Sequence, residues 1–91
     1  MNRITNKLLE KRVELLNNML DRPTEPYQQI DGKLKANIGN IYLDHAYGGV
    51  GLYEMANDGG GVKNITYGHM TKRELDNFIT GMLSALRLTG L

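Results

Sequence analysis

Residues 44–61 read D-H-A-Y-G-G-V-G-L-Y-E-M-A-N-D-G-G-G, and the rest of the chain is arranged around them. Two glycine clusters, Gly48-Gly49-Gly51 and Gly59-Gly60-Gly61, bracket a run in which Val50, Leu52 and Glu54 alternate with Gly51, Tyr53 and Met55. A period of two is that of a strand with two unlike faces. The run predicts a strand over about 46–55, followed by a turn at Asp58 and the triple glycine, where Asp-Gly and Gly-Gly favour positive φ. Upstream, Asn37, Gly39, Ile41 and Leu43 share one face of a strand over about 33–43, and Ala36, Ile38, Asn40 and Tyr42 the other. Asp44-His45 is then the expected turn between these two strands. Residues 62–67 read as a short third strand.

A helix is expected before the sheet and another after it along the chain. Over residues 3–20, Leu9, Val13, Leu16 and Leu20 recur at helical spacing, with Ile4, Leu8, Leu15 and Met19 alongside. Lys7, Glu10, Lys11 and Glu14 mark the polar side, where oppositely charged neighbours can pair. Pro23 is the expected stop, because proline lacks a donor and disfavours helix in the residue before it. Residues 21–31, D-R-P-T-E-P-Y-Q-Q-I-D, read as an extended linker. Thr71 and Glu74 form the S/T-x-x-E capping box that opens a second helix over about 71–87. Leu75, Phe78, Ile79, Met82, Leu83 and Leu86 form its apolar face. Gly81 inside that helix costs roughly 1 kcal/mol relative to alanine, which predicts a close neighbour there. Residues 87–91 are expected to fray. The order is α-β-β-β-α in one domain spanning residues 1–91. The expected fold class is α+β, a small antiparallel sheet with both helices packed on one face.

Ninety-one residues bury a modest core, so oligomerisation is one route to added stability. A formal net charge of +1 argues against a protein that coats long nucleic acid, but allows a small anionic ligand held by a few arginines. Cysteine is absent, which removes disulfides, thiolate metal sites and cysteine nucleophiles and fits an intracellular protein. Charges interleave with apolar residues over positions 1–9, unlike a signal peptide, and no apolar run is long enough to span a membrane.

Catalytic constellations are not evident. His45 and His69 show no metal-ligand spacing, and neither a P-loop nor a G-x-S-x-G elbow occurs. Asp44 and His45 do not form a dyad, because adjacent strand residues point to opposite faces. The reading is a protein that is not an enzyme and needs no cofactor or metal. Binding features are more concentrated. Tyr42, Tyr47, Tyr53 and Tyr67 lie within one stretch that also carries the glycines and Asn57. Glycine lets backbone N–H groups approach a ligand, tyrosine offers a stacking face, and asparagine presents a donor beside an acceptor. Gly48, Gly59 and Gly60 are therefore candidate contacts, although on composition alone hairpin turns account for them better. Arg22 follows the first helix and Arg73 lies in the first turn of the second. Each offers a guanidinium to a phosphate, or in the bland alternative is a solvated charge.

From Ala36 the pattern A-N-I-G-N-I-Y-L-D-H-A-Y-G-G-V-G-L-Y-E-M-A-N-D-G-G-G-V, then G-H-M-T-K-R-E-L, with R-P-T-E-P-Y upstream, resembles a family of small phage proteins, the first type of Thoeris anti-defence protein. The resemblance covers about residues 22–83. It implies a phage sponge in the host bacterial cytoplasm that sequesters cyclic ADP-ribose isomers (glycocyclic ADP-ribose) made by TIR-domain proteins, so that the Thoeris effector stays silent. It also implies a second site for cyclic oligonucleotides, and homo-oligomers that are dimers or hexamers built from three dimers. By motif, Tyr47 and Asn57 would line the ligand pocket, and Arg22 and Arg73 would be the basic contacts. Two rivals remain open: a double-stranded-RNA-binding module, which shares the α-β-β-β-α order, and a protein–protein inhibitor.

Overall fold

The computed structural model describes residues 3–89. Met1, Asn2, Gly90 and Leu91, and with them part of the expected fraying end, lie outside the described residues. The elements are α1 (Asn6–Met19), β1 (Tyr27–Ile30), β2 (Lys33–Ala36), β3 (Ile41–Ala46), β4 (Gly49–Met55), β5 (Val62–Asn64) and α2 (Lys72–Leu88). β3, β4 and β5 form an antiparallel sheet in that order, and β1 and β2 form a separate hairpin. The class is α+β, as expected, with a second small sheet that the sequence reading did not contain.

Thr5 caps α1, its hydroxyl accepting from the Leu8 N–H at 3.1 Å. The helix ends before Pro23 acts. Asp21 adopts a left-handed φ of 56°, and the Asp21 and Arg22 N–H groups donate back to the carbonyls of Asn18 and Asn17. This is a Schellman ending, with aspartate where glycine is usual. It turns the chain sharply and aims Arg22 at the sheet. α2 opens as expected: the Thr71 hydroxyl accepts from the Glu74 N–H, and the Glu74 carboxylate accepts from the Thr71 N–H, each at 3.1 Å. Hydrogen bonding from Thr71 to the carboxylate, from its hydroxyl first and its backbone N–H second, holds the Glu74 carboxyl below the ordinary carboxylate range. The cap is therefore complete above that range and is lost as pH falls through the lowered value.

Leu9, Val13 and Leu16 of α1, Ile41 of β3, Val50 and Leu52 of β4, and Leu75, Ile79 and Leu83 of α2 make one buried core. Both helices thus cover the same face of the sheet, and Arg12 and Asp76 pair across them at 2.6 Å. At the margin of this layer sits buried Asn17. It donates to the Ile41 carbonyl and accepts from the Ile41 N–H, both at 2.9 Å. One side-chain amide thereby satisfies a whole peptide unit on the edge strand.

Three expectations need correction. The strand expected over 33–43 is two strands, interrupted at 37–40, and its first half pairs backward with part of the expected linker. The cause is Asp31-Gly32, whose φ values of 51° and 76° make a two-residue hairpin turn. The turn expected at Asp44-His45 is three residues later, at Tyr47-Gly48, with φ values of 53° and 73°. Ala46 pairs with Gly49 across it. Gly81 has no close neighbour: a Cβ there would meet nothing within 4 Å.

Two outcomes follow. Gly81→Ala should raise stability by about 0.5–1 kcal/mol in urea unfolding, since helix propensity improves and no space is contested. A loss would mean that something packs there. Asn17→Ala should cost about 2–4 kcal/mol in the same assay, because the Ile41 N–H and C=O are left buried without partners. A cost under about 1 kcal/mol would show that water replaces the amide.

Candidate functional site

Residues 65–70 run on beside β4, and their middle crosses the face of the sheet opposite the helices, over Gly49 and Gly51. β5 ends where the N–H groups of Ile65 and Thr66 both turn to the Leu52 carbonyl. The buried Thr66 hydroxyl accepts from the Leu52 N–H and donates to the Gly68 carbonyl, folding the chain back. Met70 then bonds Val50 reciprocally, at 2.9 Å in each direction. The segment lies so close to β4 that a Cβ on Gly49 would stand 2.9 Å from the Met70 carbonyl oxygen. A Cβ on Gly51 would stand 2.9 Å from that of Gly68. These two glycines serve close backbone approach, which the sequence reading had reserved for a ligand.

That approach delivers His69 to the open face. Its Nε2 lies 2.8 Å from Asp44 Oδ2, and its side chain is only 11% exposed. With Nε2 donating to the carboxylate, Nδ1 is left as an acceptor in the neutral ring and a donor in the charged one. The rings of Tyr53 and Tyr47 stand 5.9 and 5.8 Å from the imidazole, and Tyr42 stands 6.1 Å from Tyr53. The four rings make a connected aromatic cluster, here called the platform, whose neighbours are tilted against one another by 39° to 69°. Burial, and after it the Asp44 carboxylate, hold the Tyr42 hydroxyl above its ordinary pKa, so it remains protonated through the neutral range. Tyr47 is 98% exposed while its backbone is left-handed. A non-glycine residue held there stores strain of order 1 kcal/mol, a feature that clusters at ligand sites.

The nominated residues fall into two groups. Tyr47 and Gly48 form the turn at one end of β4. Arg73 lies in the first turn of α2, which starts just after Met70 bonds Val50 beside that turn. Its neighbour Lys72 lines a depression of about 340 Å³ with His45 and Gly48. Asn57, Gly59, Gly60 and Arg22 lie at the other end. β4 separates the groups by about 20 Å at roughly 3.3 Å per residue. Within one chain, Tyr47 and Asn57 therefore do not share a pocket.

At that far end the side chains are engaged internally. Asn57 Oδ1 accepts from the N–H groups of Gly59 and Gly61, each at 3.0 Å. The small concavity that two glycine amides make is thus filled by the chain's own oxygen. A Cβ on Gly61 would collide with the Asn57 amide, which accounts for glycine there. Arg22 donates to the Gly39 carbonyl at 3.1 Å and pairs with the Glu54 carboxylate. Arg22 ties the end of α1 to the sheet, a role the sequence reading did not consider.

Asp44 with His69 is the pairing that sequence reading missed. Asp44 and His45 do not pair with each other, because neighbours on a strand diverge: Asp44 pairs with Gly51 on the open face, and His45 with Val50 on the helix face. The available signal was the pair of alternate glycines, Gly49 and Gly51, which clears one face of a strand for another segment. Among the described residues, no group of three or more His, Asp or Glu side chains could hold a metal. No helix among them is long and apolar enough to cross a membrane. Compared with known families, curated proteins and solved structures, the chain matches none.

Asn57→Ala should speed amide exchange at Gly59 and Gly61 and cost about 1–2 kcal/mol, through loss of two hydrogen bonds. Unchanged protection at those amides would mean that the loop holds itself and that Asn57 is available to a ligand.

Proposed function

We propose that this protein is a non-enzymatic nucleotide binder that stacks a base on the platform of Tyr47, His69 and Tyr53. Tyr47 carries the proposal: an almost fully exposed ring, kept in strained backbone, stands edge-on to a histidine that a carboxylate holds in place. Stacking on an aromatic contributes about 1–3 kcal/mol per base. Nδ1 of His69 is free of the Asp44 bond and offers a hydrogen bond to a base edge. Lys72 and Arg73 supply positive charge beside the turn for a phosphate.

The resemblance to the Thoeris anti-defence sponges makes a cyclic ADP-ribose isomer the first ligand to test, with cyclic oligonucleotides second. In that reading the protein sequesters the signal and has no need of turnover. Asn57 and Arg22, engaged within their own chain, lie outside this platform.

Calorimetric titration with cyclic ADP-ribose isomers and cyclic dinucleotides tests the proposal, with chromatography of the recovered ligand. Tyr47→Ala should weaken binding about tenfold or more with the fold intact, and the ligand should return unchanged. Cleaved ligand would replace the sponge by an enzyme. Binding untouched by Tyr47→Ala and Tyr53→Ala would move the site off the platform.

A further inference from the structure

The β1–β2 hairpin belongs to neither layer of the core. Its two strands pair only with each other, and every residue in them except Ala36 is exposed, including Ile30 and Leu34. A two-stranded hairpin with no third layer is marginally stable in water. By register, Gln28, Ile30, Lys33 and Lys35 share one face of this arm. Tyr27, Gln29, Leu34 and Ala36 share the other, which turns toward the body at its base, where Ala36 is buried.

A second unpartnered feature lies beside the base of the arm. β3 is an edge strand. Asn17 takes up the outward N–H and C=O of Ile41. In an antiparallel pair these groups alternate in direction, so those of Leu43 and His45 also face outward, and among the described residues no side-chain amide covers them. A cavity of about 450 Å³ runs along this edge, between α1 and residues 24–26. Glu10, Glu14 and Glu25 stand on it, and neither lysine nor arginine does. Among the described residues, no ion pair engages these glutamates or Lys33 and Lys35.

We propose that the groove along β3 receives the β1–β2 arm of a second copy of this chain. An arm strand adds to the sheet through the outward groups of Leu43 and His45, and Lys33 and Lys35 meet Glu10 and Glu14. The arm begins at Tyr27 and the groove is bounded by residues 24–26, so arm and groove adjoin. A twofold axis beside that junction lets each copy hold the other's arm, a closed self-complementary contact. The arm gains the third strand it lacks, and the exposed sheet edge is covered. This inference uses neither Tyr47 nor His69, so it stands or falls apart from the nucleotide reading.

Sedimentation velocity over a dilution series tests it. The wild-type chain should dimerise, less tightly in high salt. K33E/K35E and E10K/E14K should each weaken dimerisation about tenfold or more, and the variant carrying all four reversals should recover most of the loss. Because the chain has no cysteine, a second test is available: mixing Glu14→Cys and Lys35→Cys chains should give mainly the mixed disulfide. A monomer at every concentration would overturn the proposal. So would a dimer indifferent to both reversals, or cross-links that do not favour the mixed pair.

Discussion

The backbone of residues 66–70 packs directly on β4, against positions 49 and 51, with no side chain between them. One consequence lies on the helix side. Met70 is fixed to Val50, and α2 starts two residues later, so Leu75, Ile79 and Leu83 enter the core in phase with Val50 and Leu52. The other consequence lies on the open side, where the same segment carries His69 to Asp44 and completes the aromatic platform. Core and candidate site therefore depend on one close approach. Alanine at either glycine would force the segment outward and disturb both.

Much of the fold is legible in the sequence because helices announce themselves locally. Helical spacing of leucines marks α1, and the Thr71–Glu74 box marks the start of α2. Alternation likewise marks β4. The arm was not legible, because the prolines at 23 and 26 drew residues 27–30 into a linker. The signal was present in Asp31-Gly32, a strong two-residue hairpin pair, with alternating residues on either side. The other turn was misplaced because Tyr47 is an unusual residue for a position with φ of 53°. Aspartate at 44 is a common turn residue, whereas tyrosine at 47 is tolerated only under strain.

The two glycine clusters look alike in the sequence and act differently. Gly48 supplies the turn, and Gly49 and Gly51 clear a face for another segment. The triple glycine closes on Asn57, whose side-chain oxygen satisfies the Gly59 and Gly61 amides and whose carbonyl takes that of Gly60. A run of glycines near tyrosines is thus compatible with a nucleotide cradle by composition and with an internally sealed loop by geometry. Only the partner of each N–H separates them, and that partner lies outside what residue order encodes.

The most direct measurement is nuclear magnetic resonance of the His69 ring, free and during titration with a cyclic ADP-ribose isomer. The account predicts a ring protonated at Nε2, with cross-ring contacts to Tyr47 and Tyr53. It also predicts ligand-induced shifts on those three rings, while the amides of Gly59 and Gly61 stay in place. Shifts confined to the Gly59 and Gly61 amides, with the three rings unmoved, would contradict it.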